Sequence, residues 1–414
     1  MSTTILVIGL MVFFAHFLSL QFRKTNIPDV LILMLVGIVI GPMLGITTPQ
    51  DFGKIGSLIA TIALVVILFE GGTSLNLDVL GKSLGTTGLL AMACFVLTAA
   101  IVASIGFYAL GLTLLPATLL GVTLGNTSSA VVIPMVSALR LSEKPATVLV
   151  LESALTDVLS IVGVFALLQI QTQGGVEPGK LVGSVLAALI FAAAIGVLGG
   201  IGWLLVLGKV RDFPNTISST LAYVFILYGL TEMLGFSGAI ASLALGITLT
   251  NFEKFGLYRI SNIDQNLVPL NEMDLAFYSE AVFLLKTYFF VYLGISIHFG
   301  NTLLADAAIA IVLMVYAMRL ALTRFIFKDA SYSLRDAAIT SMMAPKGLAA
   351  AVLATLPLEY GVAGGEVIRD VTYMVVLVSI TLTALLVMAY PNRFVQYFYA
   401  RVLNKSLASE TADS

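Results

Sequence analysis

The chain has 414 residues, 59% hydrophobic and only 11% charged, with a net charge of −2. A soluble domain carries about 25% charged residues, so this chain cannot clothe a water-facing surface, and its near-neutral charge offers nothing to a nucleic acid. A single cysteine, Cys94, excludes an intrachain disulfide framework, and two distant histidines, His16 and His298, leave no cluster for zinc or haem.

Mean hydropathy is +1.04, and apolar stretches of about 20 residues recur along the chain, the length needed to cross a hydrocarbon core. The amino-terminal segment lacks the basic start and small-residue cleavage site of a signal peptide and reads as the first span. Breaking the chain at charges, Pro and Gly predicts about 13 helices. They cover 3–22, 29–47, 55–75, 84–110, 114–139, 145–171 and 180–207, then 216–232, 236–251, 273–298, 302–325, 333–357 and 369–392. Lipid tolerates no open sheet edge, and the segments are too long and uniformly apolar for barrel strands. The expected fold class is therefore an all-α polytopic membrane protein. One set of alternate loops holds 15 Lys and Arg, the other 3, which predicts an outside N-terminus and a cytoplasmic C-terminus. Residues 394–414 read as a short polar cytoplasmic tail.

The third span carries Glu70 in Leu68-Phe69-Glu70-Gly71-Gly72. The fifth reads GVTLGNTSSAVVIPMVSAL, and its centre, Gly125 to Ser129, is poor helix material followed by Pro134. This predicts either a kink whose hydroxyls bond back to the preceding turn or an unwound stretch facing an ion site. The sixth span contains LESALTDVLSIVG. Glu152 and Thr156 share a face there, and Asp157 lies about 100° further round. Asp157 is expected to hold a cation or a proton, and Glu152 to be a structural partner of Arg319 on the eleventh span. The twelfth span is interrupted at Pro345-Lys346-Gly347, where Lys346 is placed to neutralise broken helix ends. Each charge at mid-membrane costs about 2.5–3.5 kcal/mol on insertion scales, so each needs a partner or an aqueous cavity. Paired interruptions in two halves point to a transporter site, with 1–172 and 216–393 as inverted six-helix repeats and 180–207 as the link. No Gly-rich phosphate loop occurs, so an ion gradient is the expected energy source. A channel would need a continuous polar pore, against which a single inward carboxylate on the sixth span argues.

The stretch Glu152-Ser153-Ala154-Leu155-Thr156-Asp157 resembles the Glu-Ser-x-x-Asn-Asp signature of the monovalent cation/proton antiporter superfamily, in particular its NhaP-like sodium/proton antiporters. Phe69-Glu70-Gly71-Gly72, Arg319 and Lys346-Gly347 are similar to further motifs of that family. Asn126 to Ser129 resembles its first broken helix, in a Ser/Thr-rich form closer to the potassium-efflux branch. The resemblance implies an NhaA-like fold with crossed broken helices, a core bundle beside a dimerisation bundle, and a homodimer formed through spans 1–3 and 8–10. It implies no enzyme activity and no cofactor, and a place in a prokaryotic inner or plasma membrane. The implied exchange is of a monovalent cation, Na⁺ first and K⁺ as the alternative, for H⁺, both competing for Asp157. Ser153 and Thr127 would join Asp157 around the cation, with Asn126, Ser128, Thr156 and Glu70 as further ion- or proton-binding groups. Where relatives have Asn or Asp, this chain has Thr156. Threonine cannot ionise, so one carboxylate and electroneutral 1:1 exchange are expected.

Overall fold

The structure, a computed structural model, describes residues 9, 12–17, 28–73, 77–173, 178–211, 216–254, 269–327 and 332–405. Most of the first predicted span lies outside the described residues; 12–17 are helical. Among the described residues all regular structure is helical. The first half contains α1 (Asp29–Ile38), α2 (Gly53–Thr73), α3 (Leu77–Tyr108), α4 (Leu114–Thr123), α5 (Ser129–Leu139), α6 (Glu143–Gln173) and α7 (Pro178–Val210). Then come α8 (Ser219–Met233), α9 (Gly238–Thr250), α10 (Glu272–Ile295), α11 (Thr302–Ile326) and α12 (Leu334–Met342). The last four are α13 (Leu348–Leu353), α14 (Leu356–Glu359), α15 (Gly365–Ala389) and α16 (Arg393–Leu403). Six of the described helices are long and apolar enough to cross a membrane, and shorter apolar helices accompany them.

Two predicted spans are each divided. The fifth becomes α4 and α5, separated by non-helical 124–128, and the twelfth becomes α12 and the α13–α14 pair, separated by 343–347. Pro345 has no amide hydrogen to donate, and Gly125 and Gly347 lack the side chain that would favour a helical backbone. The predicted tail begins with a helix, α16.

The chain divides into two compact units. The first comprises Met1–Gly53, Ser83–Val164 and Phe290–Ser414. In it α15 is central, packing against α11, α12, α13 and α4. Tyr316 of α11 donates to the Ser379 carbonyl of α15 at 2.9 Å and meets the Thr383 hydroxyl. Buried polar groups thus tie these helices where lipid offers no water to satisfy them.

The second unit comprises Lys54–Lys82 and Phe165–Phe289. Its core gathers Phe69, Trp203, Leu204, Leu245 and Tyr278. Here the glycine pair of the early motif separates into two roles. A methyl group on Gly72 would collide with the Leu243 carbonyl and come within 3.2 Å of the Gly246 Cα, whereas Gly71 faces open space. Gly72 and Gly246 therefore form a close backbone crossing of α2 on α9, the small-residue packing that association in lipid requires. Gly72→Val is expected to cost about 1–3 kcal/mol through overpacking, while Gly71→Ala is neutral. Thermal midpoints of the two purified variants in detergent check this; equal midpoints would refute the crossing.

Candidate functional site

The site is built where the two divided helices meet in the first unit. Ser128 N–H, orphaned by the end of α4, donates to the Pro345 carbonyl at 2.8 Å. Each break supplies the partner that the other lacks, which buried backbone demands. Gly347 makes this approach feasible, since a Cβ there would overlap the Ser128 hydroxyl. The Lys346 N–H donates to Ser379 Oγ of α15 at 2.9 Å, anchoring the second break from behind.

Lys346 itself is buried, and its Nζ donates to the Asn126 carbonyl at 2.6 Å. An ammonium thus sits just past the C-terminal end of α4, where the free carbonyls of a helix carry partial negative charge. The same Asn126 turns its side chain the other way. Its Nδ2 donates to Asp157 Oδ1 at 2.6 Å, and Ser129 Oγ donates to Asp157 Oδ2 at 2.5 Å. Both carboxylate oxygens are therefore held by the first break. The Asn126 Oδ1 is buried with no hydrogen-bond partner, leaving a spare oxygen lone pair on a residue already bound to the carboxylate.

Thr156 joins the break to α6. Its hydroxyl accepts from Thr127 N–H at 3.1 Å and donates to the Glu152 carbonyl at 2.9 Å. One turn on, Ser160 Oγ donates to the Val122 carbonyl near the end of α4 at 2.8 Å. Residues four apart share a helix face, so Thr156 and Ser160 form one stripe that binds α4 and its unwound end, while Asp157 faces the break from the adjacent stripe. The hydroxyl thereby gives the unwound backbone an orienting hydrogen bond.

Behind Asp157 lies a sealed ion pair. Arg319 on α11 reaches Glu152 with both terminal nitrogens, at 2.5 and 2.8 Å. Its Nε donates to the Thr340 carbonyl near the end of α12 at 2.9 Å, and Cys94 Sγ lies 3.7 Å from one terminal nitrogen. Glu152 and Arg319 are 0% and 2% exposed; Asp157 is only partly buried. The two acids thus differ in role. Glu152 is closed off by a cation, whereas Asp157 is held by neutral donors and is only partly buried.

Of the other residues singled out in the sequence, Ser153 is buried with Oγ donating to the Val150 carbonyl at 2.9 Å. Thr127 enters through its backbone N–H, and Ser128 through its N–H and its contact with Gly347. Glu70 belongs to the second unit, on α2 two residues before Gly72. The sequence placed Ser129 in the first break without naming it as a partner of Asp157, and it gave no indication of Ser379. Ser129 is the first residue of α5, one past the Ser128 position at which a hydroxyl residue would cap the helix.

Residues 9–388 match the protein family described as sodium/hydrogen exchanger, transmembrane. The K(+)/H(+) antiporter NhaP2 of Shewanella sp. (strain MR-4) is 24% identical over 366 residues, covering 86% of this chain and 61% of that protein. The Na(+)/H(+) antiporter NhaS2 of Synechocystis sp. is 26% identical over 305 residues, 73% of this chain and 53% of that protein. The chain thus spans between half and two-thirds of the length of these curated relatives. Among solved structures, the sodium proton antiporter MjNhaP1 from Methanocaldococcus jannaschii superposes with a TM-score of 0.71 at 21% identity, over 92% of this chain and 99% of that one. That likeness shows that the two chains share a fold.

Proposed function

This chain belongs to the transmembrane sodium/hydrogen exchanger family, and from that premise we propose that it exchanges a monovalent cation for a proton, the two competing for Asp157. The observation that carries the proposal is the partly buried carboxylate at the crossing of the two breaks, held by Asn126 and Ser129 and not by a cation. Deprotonated Asp157 binds the cation together with hard oxygens, among them the spare Asn126 Oδ1 and the Ser129 hydroxyl. Ser153 and Thr127 supply further oxygens as the site loads. Protonation removes the charge and releases the cation. Lys346 stays on the Asn126 carbonyl and keeps the broken helix end neutral, and the Glu152–Arg319 pair holds α6 and α11 in register.

The same premise supports 13 spans arranged as two inverted repeats, 1–172 and 216–393, about a linking helix at 180–207. It also supports a homodimer, with Glu70 near the ion route, in a prokaryotic inner or plasma membrane, N-terminus outside and C-terminus cytoplasmic. Na⁺ is our first reading of the substrate. K⁺ is the second, favoured by relatives named K(+)/H(+) antiporters and by the Ser/Thr-rich first break.

If one carboxylate alternates between one monovalent cation and one proton, both half-cycles carry the same charge. The membrane potential is worth about 2.3 kcal/mol per elementary charge per 100 mV only to a process that moves net charge. Proton flux in proteoliposomes, driven by Na⁺, K⁺ and Li⁺ in turn, identifies the substrate. Addition of the active cation to a vesicle-coated electrode is then expected to give no sustained current. A steady current would refute the one-for-one exchange and bring in a second titrating group, and absence of flux with every alkali cation would refute the exchange itself.

A further inference from the structure

We propose that α16 is an interfacial helix whose outer face binds the anionic headgroups of the adjoining membrane leaflet. It follows α15, a helix long and apolar enough to span, after only Tyr390, Pro391 and Asn392. Three residues reach about 10 Å at most, so α16 starts at the membrane boundary. The corner is built rather than incidental. Pro391 cannot continue α15, and Asn392 accepts the Phe394 N–H at 2.9 Å as the cap of the new helix. At the far end Asn404 is left-handed, with φ 54°, and the Lys405 N–H closes on the Ala400 carbonyl at 3.0 Å.

The two faces of α16 are more sharply separated than those of the other described helices. Tyr399, Ala400 and Leu403 are buried, and the helix packs against α12 and α11. Lys405 Nζ fastens this end to the Tyr332 carbonyl at 2.6 Å. The outward stripe at intervals of three and four is Phe394, Tyr397, Phe398 and Arg401, with the aromatics 79%, 57% and 48% exposed. Exposed Arg393 and Arg401 stand at its two ends. Aromatic rings prefer the headgroup level of a bilayer, and each basic residue near an anionic surface is attracted to it. Arginines on an aromatic stripe can extend their guanidinium groups to the headgroups while the rings lie among them, as interfacial helices do. A bilayer surface of negative lipid satisfies the rings and both guanidinium groups together, which a neutral surface does not.

Trp203 is the sole tryptophan, so the full chain with Trp203→Phe and Phe398→Trp reports on this face alone. Should Trp203→Phe impair folding, the difference between parent and Phe398→Trp serves instead. The protein is reconstituted in vesicles containing phosphatidylcholine or phosphatidylglycerol brominated high on the acyl chain. Expected results are strong quenching by bromine, weak quenching by aqueous iodide, and severalfold stronger association of phosphatidylglycerol. That preference should vanish in Arg393→Gln/Arg401→Gln while bromine quenching in phosphatidylcholine persists. Iodide quenching without bromine quenching would overturn the proposal by placing the face in water. Equal association of the two lipids with the parent would overturn its anionic specificity. A tryptophan shielded from both quenchers, increasingly so at high protein-to-lipid ratio, would show a second copy of the chain on this face and overturn the proposal. None of these readouts depends on ion exchange, so a failure of the exchange reading leaves them interpretable.

Discussion

Asp157→Asn is expected to abolish cation/proton exchange, lowering flux by about 10²-fold or more, the range lost with an essential acid–base group, while the protein still folds. Asparagine matches the carboxylate in shape and can accept the Asn126 donor on its one oxygen. Its NH₂ faces Ser129, whose hydroxyl can rotate to accept instead of donate. The packing of the crossing therefore survives. What disappears is the negative charge that holds a dehydrated cation and the ability to take up a proton at the same atom. The stability cost is expected to be small, because the wild-type carboxylate is held by neutral donors and its charge has no direct ion-pair partner among the contacts described above. Proteoliposome flux and the thermal midpoint of the same preparation check the two halves together. Parental flux in a folded Asp157→Asn protein would remove this residue from the mechanism. Lost flux with a collapsed midpoint would show that Asp157 is structural.

Breaking the Glu152–Arg319 pair is expected to have the largest effect on stability. Both groups are sealed from solvent, and their contact uses both oxygens of the acid and both terminal nitrogens of the base. Removing one member strands the other as a buried charge, at a cost of about 3–5 kcal/mol. Glu152→Gln leaves Arg319 with no counter-charge, only the neutral amide oxygen at position 152, the Thr340 carbonyl and the Cys94 sulfur. Arg319→Gln leaves Glu152 with no cation and frees the Thr340 carbonyl near the end of α12. The double variant carries two neutral amides that can bond to each other, so part of the loss should return. Contacting pairs show coupling of about 0.5–3 kcal/mol in such cycles. Denaturation of the four proteins in detergent checks it, and strictly additive losses would mean that the pair is energetically idle. The contrast with Asp157 separates the roles of the two acids on α6: one substitution should stop transport and spare the fold, the other should weaken the fold first.

Several features were legible in the chain because they depend on short-range properties. Segment length against bilayer thickness and the absence of charge predict membrane helices without knowledge of their neighbours. The interruptions at 124–128 and 343–347 follow from Gly, Asn and Pro, whose backbone preferences act locally. The angular offset of Asp157 from Glu152 and Thr156 is a property of any α-helix. The family resemblance likewise rested on short motifs, chiefly the contiguous stretch from Glu152 to Asp157. The tertiary structure alone decided which groups meet. Ser129 reaches Asp157 only through the dihedral angles of the unwound residues before it, which no periodic rule supplies. The hydrogen bond from Ser128 to Pro345 joins two backbones, so no side-chain type announces it. Gly72 and Gly246 are unremarkable one at a time and matter only because α2 crosses α9 at that point. In α16 eight of the eleven residues Arg393–Leu403 are hydrophobic, and only the direction of each side chain separates a buried face from an aromatic one. Local backbone preference and transfer to lipid are written residue by residue. The site at Asp157 depends on where separate helices stop, turn and touch, and packing alone settles that.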